Sequence, residues 1–227
     1  MPRPMISRRW STPLLALSMA LVLAVLSPAM QAQDLRLPFE GRWFVYQGGD
    51  TPNVNHHMAV PAQWFGVDFV KVGGPSQRAL SRVEPKAPED FYSWNEPVLS
   101  PAAGEVVAVV DDLPDNPGGI RDPDRPAGNH VGVRTADGRF VFVAHLRRGS
   151  VAVRRGERVD AGRLLGRCGN SGNSDFPHVH VHAQNTLGDD AIGQNPVFAG
   201  MDVELNGRSF EDVSWPVLRG LFVAPSR

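Results

Sequence analysis

Only one cysteine, Cys168, stands among the 227 residues, so no internal disulfide can form. Stability in an oxidising compartment must then come from a packed core or from a bound metal. Excess positive charge is also missing: 23 basic side chains stand against 24 acidic ones. Nucleic-acid binders show a basic patch or stripe, and none is evident, so nucleic acid is not an expected partner. No stretch sustains a helical apolar period. One long apolar run exists, Leu14 to Leu26 broken only by Ser18, and it is shorter than the roughly 20 residues that span a bilayer comfortably.

That run lies in a segment with its own logic. Arg3, Arg8 and Arg9 make a positive start, and the small residues Ala29 and Ala32 precede the charged Asp34. A positive start, a short apolar stretch and small residues form the pattern of a secretory signal. Residues 1–32 are therefore expected to be a signal peptide, with no stable membrane insertion after its removal. Without a Cys at the cleavage point no lipid anchor is expected. Loss of three Arg leaves 20 basic and 24 acidic residues, formally −4. The remaining residues, 33–227, suit a single domain with an ordinary core.

What is present reads as mainly β. Arg42 to Tyr46, Phe65 to Val70, Gly104 to Val110, Val131 to Thr135 and Arg139 to His145 read as strands, and Asp137-Gly138 between the last two is a strong hairpin signal. Ser150 to Val153, Arg163 to Cys168, His178 to Gln184 and Val217 to Val223 continue the series. Many short strands separated by Gly, Pro, Asn and Asp predict a sandwich or barrel. Two regions read as surface loops, Gly73 to Pro101 with its five prolines and Asp111 to Asn129. The acids of the second loop do not have the spacing of an EF-hand, which disfavours calcium. Cys168 reads as a small buried filler rather than a nucleophile.

The most informative segment is Asn170 to Gln184, NSGNSDFPHVHVHAQ. On a strand alternate side chains share a face, so His178, His180 and His182 point one way and Val179 and Val181 the other. Neutral imidazole suits zinc. Three same-face imidazoles are costly to bury without partners, and a metal or an active-site cleft supplies them. An exposed, merely polar His-rich face is the alternative reading. The preceding Gly166 to Ser174 turn region lacks the Lys of a phosphate-binding loop, which disfavours nucleotides and leaves it the role of shaping a cleft rim.

His145-Leu146, Val151, Val153, Gly156, Val159, Gly162, Leu165-Gly166, Gly169 to Ser174 and Pro177 to His180 fall in one order with characteristic gaps. Pro97 to Val107 and Gly66 to Phe69 add to the pattern upstream. Together they resemble the lysostaphin-like zinc endopeptidases, a family of many peptidoglycan hydrolases. The resemblance covers about residues 64–184 within a family-like core of about 54–185. It implies two packed antiparallel sheets, a β-sandwich or barrel-like duplicated hybrid motif with loop decorations, and a metal in an open groove. By position it assigns Asp68 and His180 as zinc ligands and His145 and His178 as the catalytic pair. It further implies an exported enzyme, periplasmic or secreted, that hydrolyses peptide bonds in peptidoglycan cross-links.

One departure matters. The family pattern H-x-G-x-D has a His four residues before the aspartate, and Trp64 occupies that position here. Two protein ligands make a poor catalytic site, since three plus water is normal. Asn53 to Val60 reads as a strand that could turn back at Pro61 to Gln63 and bring His56 or His57 beside Asp68. Adjacent strand residues face opposite ways, so one of the two is expected to reach the metal, and His57 is the favoured one. His182 is left as a supporting group or substrate contact. The rival reading is a catalytically degenerate member that binds peptidoglycan or regulates a partner hydrolase. Trp64 supports it, and the joint presence of Asp68, His145, His178 and His180 opposes it. A cytoplasmic phosphocarrier on a similar β architecture would need neither the aspartate nor the signal.

Overall fold

In Val179 to Gln184 every second residue is small and aliphatic, and this alternation sets the layering of the molecule. A computed structural model describes residues 33–227. The expected signal peptide, residues 1–32, lies outside the described residues. Among these the strands are β1 Trp43–Gln47, β2 Val67–Lys71, β3 Pro97–Leu99, β4 Gly104–Val110, β5 Asn129–Arg134, β6 Phe140–Leu146 and β7 Arg158–Val159. They continue as β8 Leu164–Arg167, β9 Val179–Gln184, β10 Gly193–Gln194, β11 Phe198–Leu205, β12 Arg208–Trp215 and β13 Phe222–Pro225. Three short 3-10 turns, His56–Ala59, Pro61–Gln63 and Pro88–Asp90, are the helical elements among the described residues. No helix there is long and apolar enough to cross a membrane.

The large sheet runs β12-β11-β13-β1-β2-β9-β6-β5-β4-β7, with β10 added to β9. A small second sheet pairs β3 with β8. All named pairings are antiparallel, so the mainly β, two-sheet expectation holds, without a closed barrel. Val98 of β3 and Leu165 of β8 are buried in the same apolar cluster as Val67, Phe69, Val143 and Val181 of the large sheet. Phe39 stacks on Trp43 with centroids 4.5 Å apart and meets Phe69 edge-on at 5.0 Å. Cys168 is fully buried in this cluster, in keeping with a filler.

Strand β9 is the keystone. Its neighbours are β2, where Asp68 lies opposite His180, and β6, where Ala144 lies opposite the same His180. Val179, Val181 and Ala183 enter the core. The period of two then sends His180, His182 and Gln184 to the other face, where they are nevertheless buried. A one-residue slip of β9 would exchange these two sets, so core packing fixes the register that places the histidines.

Three expectations need correction. Asn53 to Val60 is no strand: Asn55 accepts a hydrogen bond from the His57 N–H at 3.1 Å and caps the 3-10 turn His56–Ala59. Ser150 to Val153 joins no ladder, because the Ser150 and Val151 N–H groups bond to the Asp111 carboxylate at 3.0 and 3.1 Å. The late strand covers Phe222–Pro225 rather than starting at Val217, and the β11–β12 hairpin before it was not anticipated. Register shifts within that hairpin break its apolar alternation. Its turn, Asn206-Gly207, has φ of 50° and 76°, the positive pair that a two-residue hairpin demands.

The expected hairpin at Asp137-Gly138 is pinned by a buried ion pair. Asp137 accepts from Thr135 Oγ1 and from the Gln33 N–H, and pairs with Arg139 at 2.8 Å. Burial pushes its carboxyl up, but the bonds from Arg139 and Thr135 outweigh this and bring it down to about 2. A depressed carboxyl stabilises the fold above its unfolded value near 4 and loses that contribution as pH falls toward 2. Asp137→Asn is therefore expected to cost about 2 kcal/mol at neutral pH. In thermal melts the gap from wild type should shrink between about pH 4 and pH 2.

Candidate functional site

Six of the seven histidines gather on the non-core face of β9 and its surroundings, linked by ring contacts from His56 to His57, His57 to His180, His180 to His182, and His145 to His178 and His180. At their centre Asp68 is 3% exposed. Three imidazole nitrogens converge on its Oδ1: His180 Nδ1 at 2.9 Å, His57 Nε2 at 3.0 Å and His178 Nε2 at 3.5 Å. The β2–β9 register supplies the first of these contacts, and the capped 3-10 turn supplies the second.

The His57 turn is held from both sides. Asn55 donates its amide to Gly49 O at 2.8 Å and Gly66 O at 3.1 Å while accepting from His57 N–H. Gly66 itself sits between two of the rings: a Cβ there would lie 3.0 Å from His180 Cε1 and 3.1 Å from His57 Cγ. Between turn and strand, Phe65 takes φ 64°, an uncommon value for a bulky residue. Gly66→Ala is expected to push the two rings apart and weaken metal binding at least ~10-fold, comparable to losing a supporting group around a metal ligand. Competition against a chromophoric chelator measures this.

His56 lies on the same turn but is exposed. Nitrogens of His56 and His57 and a carboxylate oxygen of Asp68 all lie within 4.8 Å of one another, a spacing able to hold a metal ion. The expectation that only one of the pair could approach Asp68 came from strand geometry and fails on a 3-10 turn. Burial still separates them: His57 is 7% exposed, and its Nε2 is buried without a hydrogen-bond partner despite the nearby carboxylate. An unpaired buried ring nitrogen is costly, and a cation shared with Asp68 would satisfy it. Nitrogen donors with one carboxylate are chemistry suited to zinc.

His145, the penultimate residue of β6, has φ 61°, strain of the kind that collects at functional sites. Its Nδ1 lies 2.9 Å from Ser171 O, and that of His178 lies 2.9 Å from Phe176 O and 3.2 Å from Ser174 Oγ. A carbonyl oxygen only accepts, so each Nδ1 carries the hydrogen; the Nε2 of His145 is left free and that of His178 faces Asp68. The two rings are 4.6 Å apart by centroid. The Gly/Asn/Ser turn region thus contributes carbonyls that orient both side chains.

Electrostatics separate these groups. Burial, then the neighbouring His178 and His180, drives His145 well below its usual value. Burial alone would lower His178, but the Asp68 carboxylate beside it raises it overall. Burial pushes the Asp68 carboxyl up, yet the imidazoles of His57, His178 and His180 around it hold it well below the carboxylate range. Burial first, then His57, takes His180 down to about 3. Cys168 is pushed well up by burial, so it is an inert thiol.

A narrow cleft of about 100 Å³ opens onto His56, His57, His145, His180 and His182 between Val60 and Gln63 on one side and Pro126, Ala127 and Asn173 on the other. A larger hollow of about 550 Å³ lies elsewhere, by Glu105, Arg134 and Arg158, and no histidine lines it. All five residues proposed from the sequence, His57, Asp68, His145, His178 and His180, meet in one place. The supporting roles of Asn55 and Gly66 were missed. Asx capping before a short turn was the available signal for Asn55.

The family model "Peptidase family M23" matches residues 90–194. That segment contains His145, His178 and His180, while Asp68 and His57 precede it. No curated protein matches the chain. Among solved structures, the antimicrobial peptidase lysostaphin from Staphylococcus simulans is 21% identical, with TM-score 0.42, covering 67% of this chain and 46% of that one. A putative glycyl-glycine endopeptidase lytM from Ruminococcus gnavus is 21% identical, with TM-score 0.44, covering 72% and 58%. A zinc containing peptidase from Vibrio cholerae is 17% identical, with TM-score 0.41, covering 72% and 38%. The chain spans less than two thirds of the length of each of the three. Residues 90–194 of the chain are thus similar to peptidase family M23, which bears out the lysostaphin-like resemblance of its motifs.

Proposed function

We propose that this protein is an exported zinc metalloendopeptidase that hydrolyses peptide bonds in peptidoglycan cross-links. The observation that carries the reading is the convergence of His57 Nε2 and His180 Nδ1 on Asp68 Oδ1, with the His57 nitrogen buried and otherwise unpartnered. These three residues would hold the metal, the ligand number of a catalytic zinc site. The M23 match supports a peptidase, and the solved relatives, called antimicrobial peptidase and glycyl-glycine endopeptidase, suggest wall peptides as substrate.

Zinc held by these residues would supply Lewis-acid chemistry, polarising the scissile carbonyl and acidifying a water. The chain's own groups handle the protons. His145, kept neutral by burial and bearing hydrogen on Nδ1, offers its free Nε2 as the base for the attacking water. His178, raised by its acidic neighbour, donates from Nε2 to the oxygen that becomes negative as the amide is attacked. The protonated base then returns its proton to the departing amine, so no covalent enzyme intermediate is needed.

Purified mature protein should contain about one zinc per chain, the number that a three-ligand site with one open position takes. It should also release new amino termini from isolated cell walls, and a zinc chelator should stop the release. Absence of bound metal would refute the metallopeptidase reading. Bound zinc without hydrolysis of any wall preparation would favour the binding or regulatory role.

A further inference from the structure

Beyond the residues that touch Asp68, the histidine face of β9 continues as an unbroken line of side-chain hydrogen bonds. His180 Nε2 lies 2.9 Å from His182 Nδ1, and His182 Nε2 lies 3.0 Å from Gln184 Oε1. Gln184 Nε2 in turn donates to the Thr186 carbonyl at 2.5 Å. His180, His182 and Gln184 occupy alternate positions on one strand face, so the line is a direct product of the period of two. All three side chains are buried. The ring of His182 is also stacked on Phe142, 5.1 Å between centroids and 10° between planes.

The direction of each bond follows from one fixed end. The Thr186 carbonyl can only accept, so the group of Gln184 facing it is the NH₂ and the group facing His182 is the oxygen. That oxygen can only accept, so His182 Nε2 carries the hydrogen. His182 has a ring, an amide oxygen and an aromatic face around it and no carboxylate among these contacts to hold a charge. As a neutral ring with hydrogen on Nε2, it presents a bare Nδ1, which accepts the hydrogen of His180 Nε2. A neutral His180 then has its lone pair on Nδ1, aimed at Asp68 Oδ1 at 2.9 Å. Two acceptors at that distance repel unless a cation lies between them.

We propose that His182 and Gln184 are positioning residues that fix His180 in the Nε2–H tautomer, so that Nδ1 is the atom presented to the metal. The proposal rests on the zinc reading above. It goes beyond that reading in giving the third histidine of the strand, and the glutamine after it, a role in selecting which nitrogen binds. The two residues act through His180 and touch neither metal nor substrate.

The test compares the zinc dissociation constant of the full mature chain with those of two variants, using a chromophoric chelator as competitor. His182→Phe keeps a flat ring against Phe142 but offers no acceptor. Its zinc affinity should fall ~10–100-fold, the usual cost of losing a supporting partner of a ligand. His182→Asn places an oxygen near the lost Nδ1 and should recover most of that affinity. Nitrogen-15 NMR of the wild type supplies a readout that a packing role would not move: His182 should be the neutral Nε2–H tautomer with or without zinc. Equal zinc affinity in wild type and His182→Phe, or an Nδ1–H tautomer at His182, would overturn the relay. A wild type that takes no zinc would overturn the metallopeptidase reading and with it the relay's purpose. Should His182→Phe fail to fold, the tautomer measured in the wild type and the affinity of His182→Asn still decide.

Discussion

Replacing His57 with alanine is expected to strip zinc from the protein and abolish hydrolysis, while His56→Ala leaves both nearly intact. The two residues are chain neighbours on one 3-10 turn, so composition, charge and local flexibility change alike in both variants. They differ in what their side chains face. The His57 ring is packed against His180, 4.5 Å between centroids, with its Nε2 buried 3.0 Å from Asp68. The His56 ring lies on the solvent side. Structural zinc sites gain roughly 10–16 kcal/mol from about four ligands, so one ligand is worth roughly 3–4 kcal/mol, on the order of 10²–10³ in affinity. His56→Ala removes an exposed imidazole that can approach the site, and less than ~10-fold should be lost, as for a supporting rather than a ligating group. Zinc stoichiometry after dialysis, with hydrolysis of cell walls in parallel, separates the two. Full zinc retention in His57→Ala would show that Trp64 has left the site truly one ligand short.

The second large effect concerns chemistry without metal loss. His145→Ala and His178→Ala should each bind zinc within a few-fold of wild type, since neither is among the three ligands proposed. Each should lose hydrolysis by ~10²–10⁴-fold, the range for removing a general base or acid or an oxyanion donor. The pair should also split in pH dependence. His145 is driven down by burial, so the group that must be neutral is already neutral across the working range. The rate that needs the His178 proton should fall as pH rises through the value of that ring. In His178→Ala that alkaline fall should disappear, leaving a flatter profile at a much lower rate. An unchanged alkaline limb in His178→Ala would remove it from the acid role. Loss of zinc in either variant would instead make it a ligand.

Much of this site was legible because it lies on strands. The H-x-H-x-H alternation of β9 announces a histidine face, and the valines between them announce the opposite core face, as found. Asp68 sits in a Gly-Val-Asp-Phe segment with enough apolar character to pair beside β9, and the register delivers it opposite His180. What was not legible depends on irregular backbone. Asn53 to Val60 has neither a clean period of two nor of 3.6, and the choice of a 3-10 turn is made by the Asn55 side chain, which caps the turn and ties it to Gly49 and Gly66. Without that turn the position of His57 could only be guessed from the absence of a ligand at Trp64. Gly66 looks like a motif residue in the sequence, yet its physical reason, the lack of room between two rings, is visible only once both rings are placed. The β11–β12 hairpin escaped notice because its bulges scramble the alternation on which strand reading relies.

Trp64 occupies the position where the family pattern has a histidine. The chain leaves the Pro61–Gln63 turn through Trp64 and kinks at Phe65 with positive φ. Gly193 of β10 passes so close to the Trp64 backbone that no Cβ would fit there. The Trp64 position therefore packs against β10. His57, seven residues before Trp64, places its Nε2 3.0 Å from Asp68 Oδ1.

The most direct measurement is anomalous diffraction at the zinc edge from crystals of the mature protein. A single strong anomalous peak within about 2.0–2.2 Å of His57 Nε2, an Asp68 carboxylate oxygen and His180 Nδ1 is the expected result. A peak bound through His180 Nε2, a peak held by His56 without His57, or zinc found only away from Asp68 would contradict it.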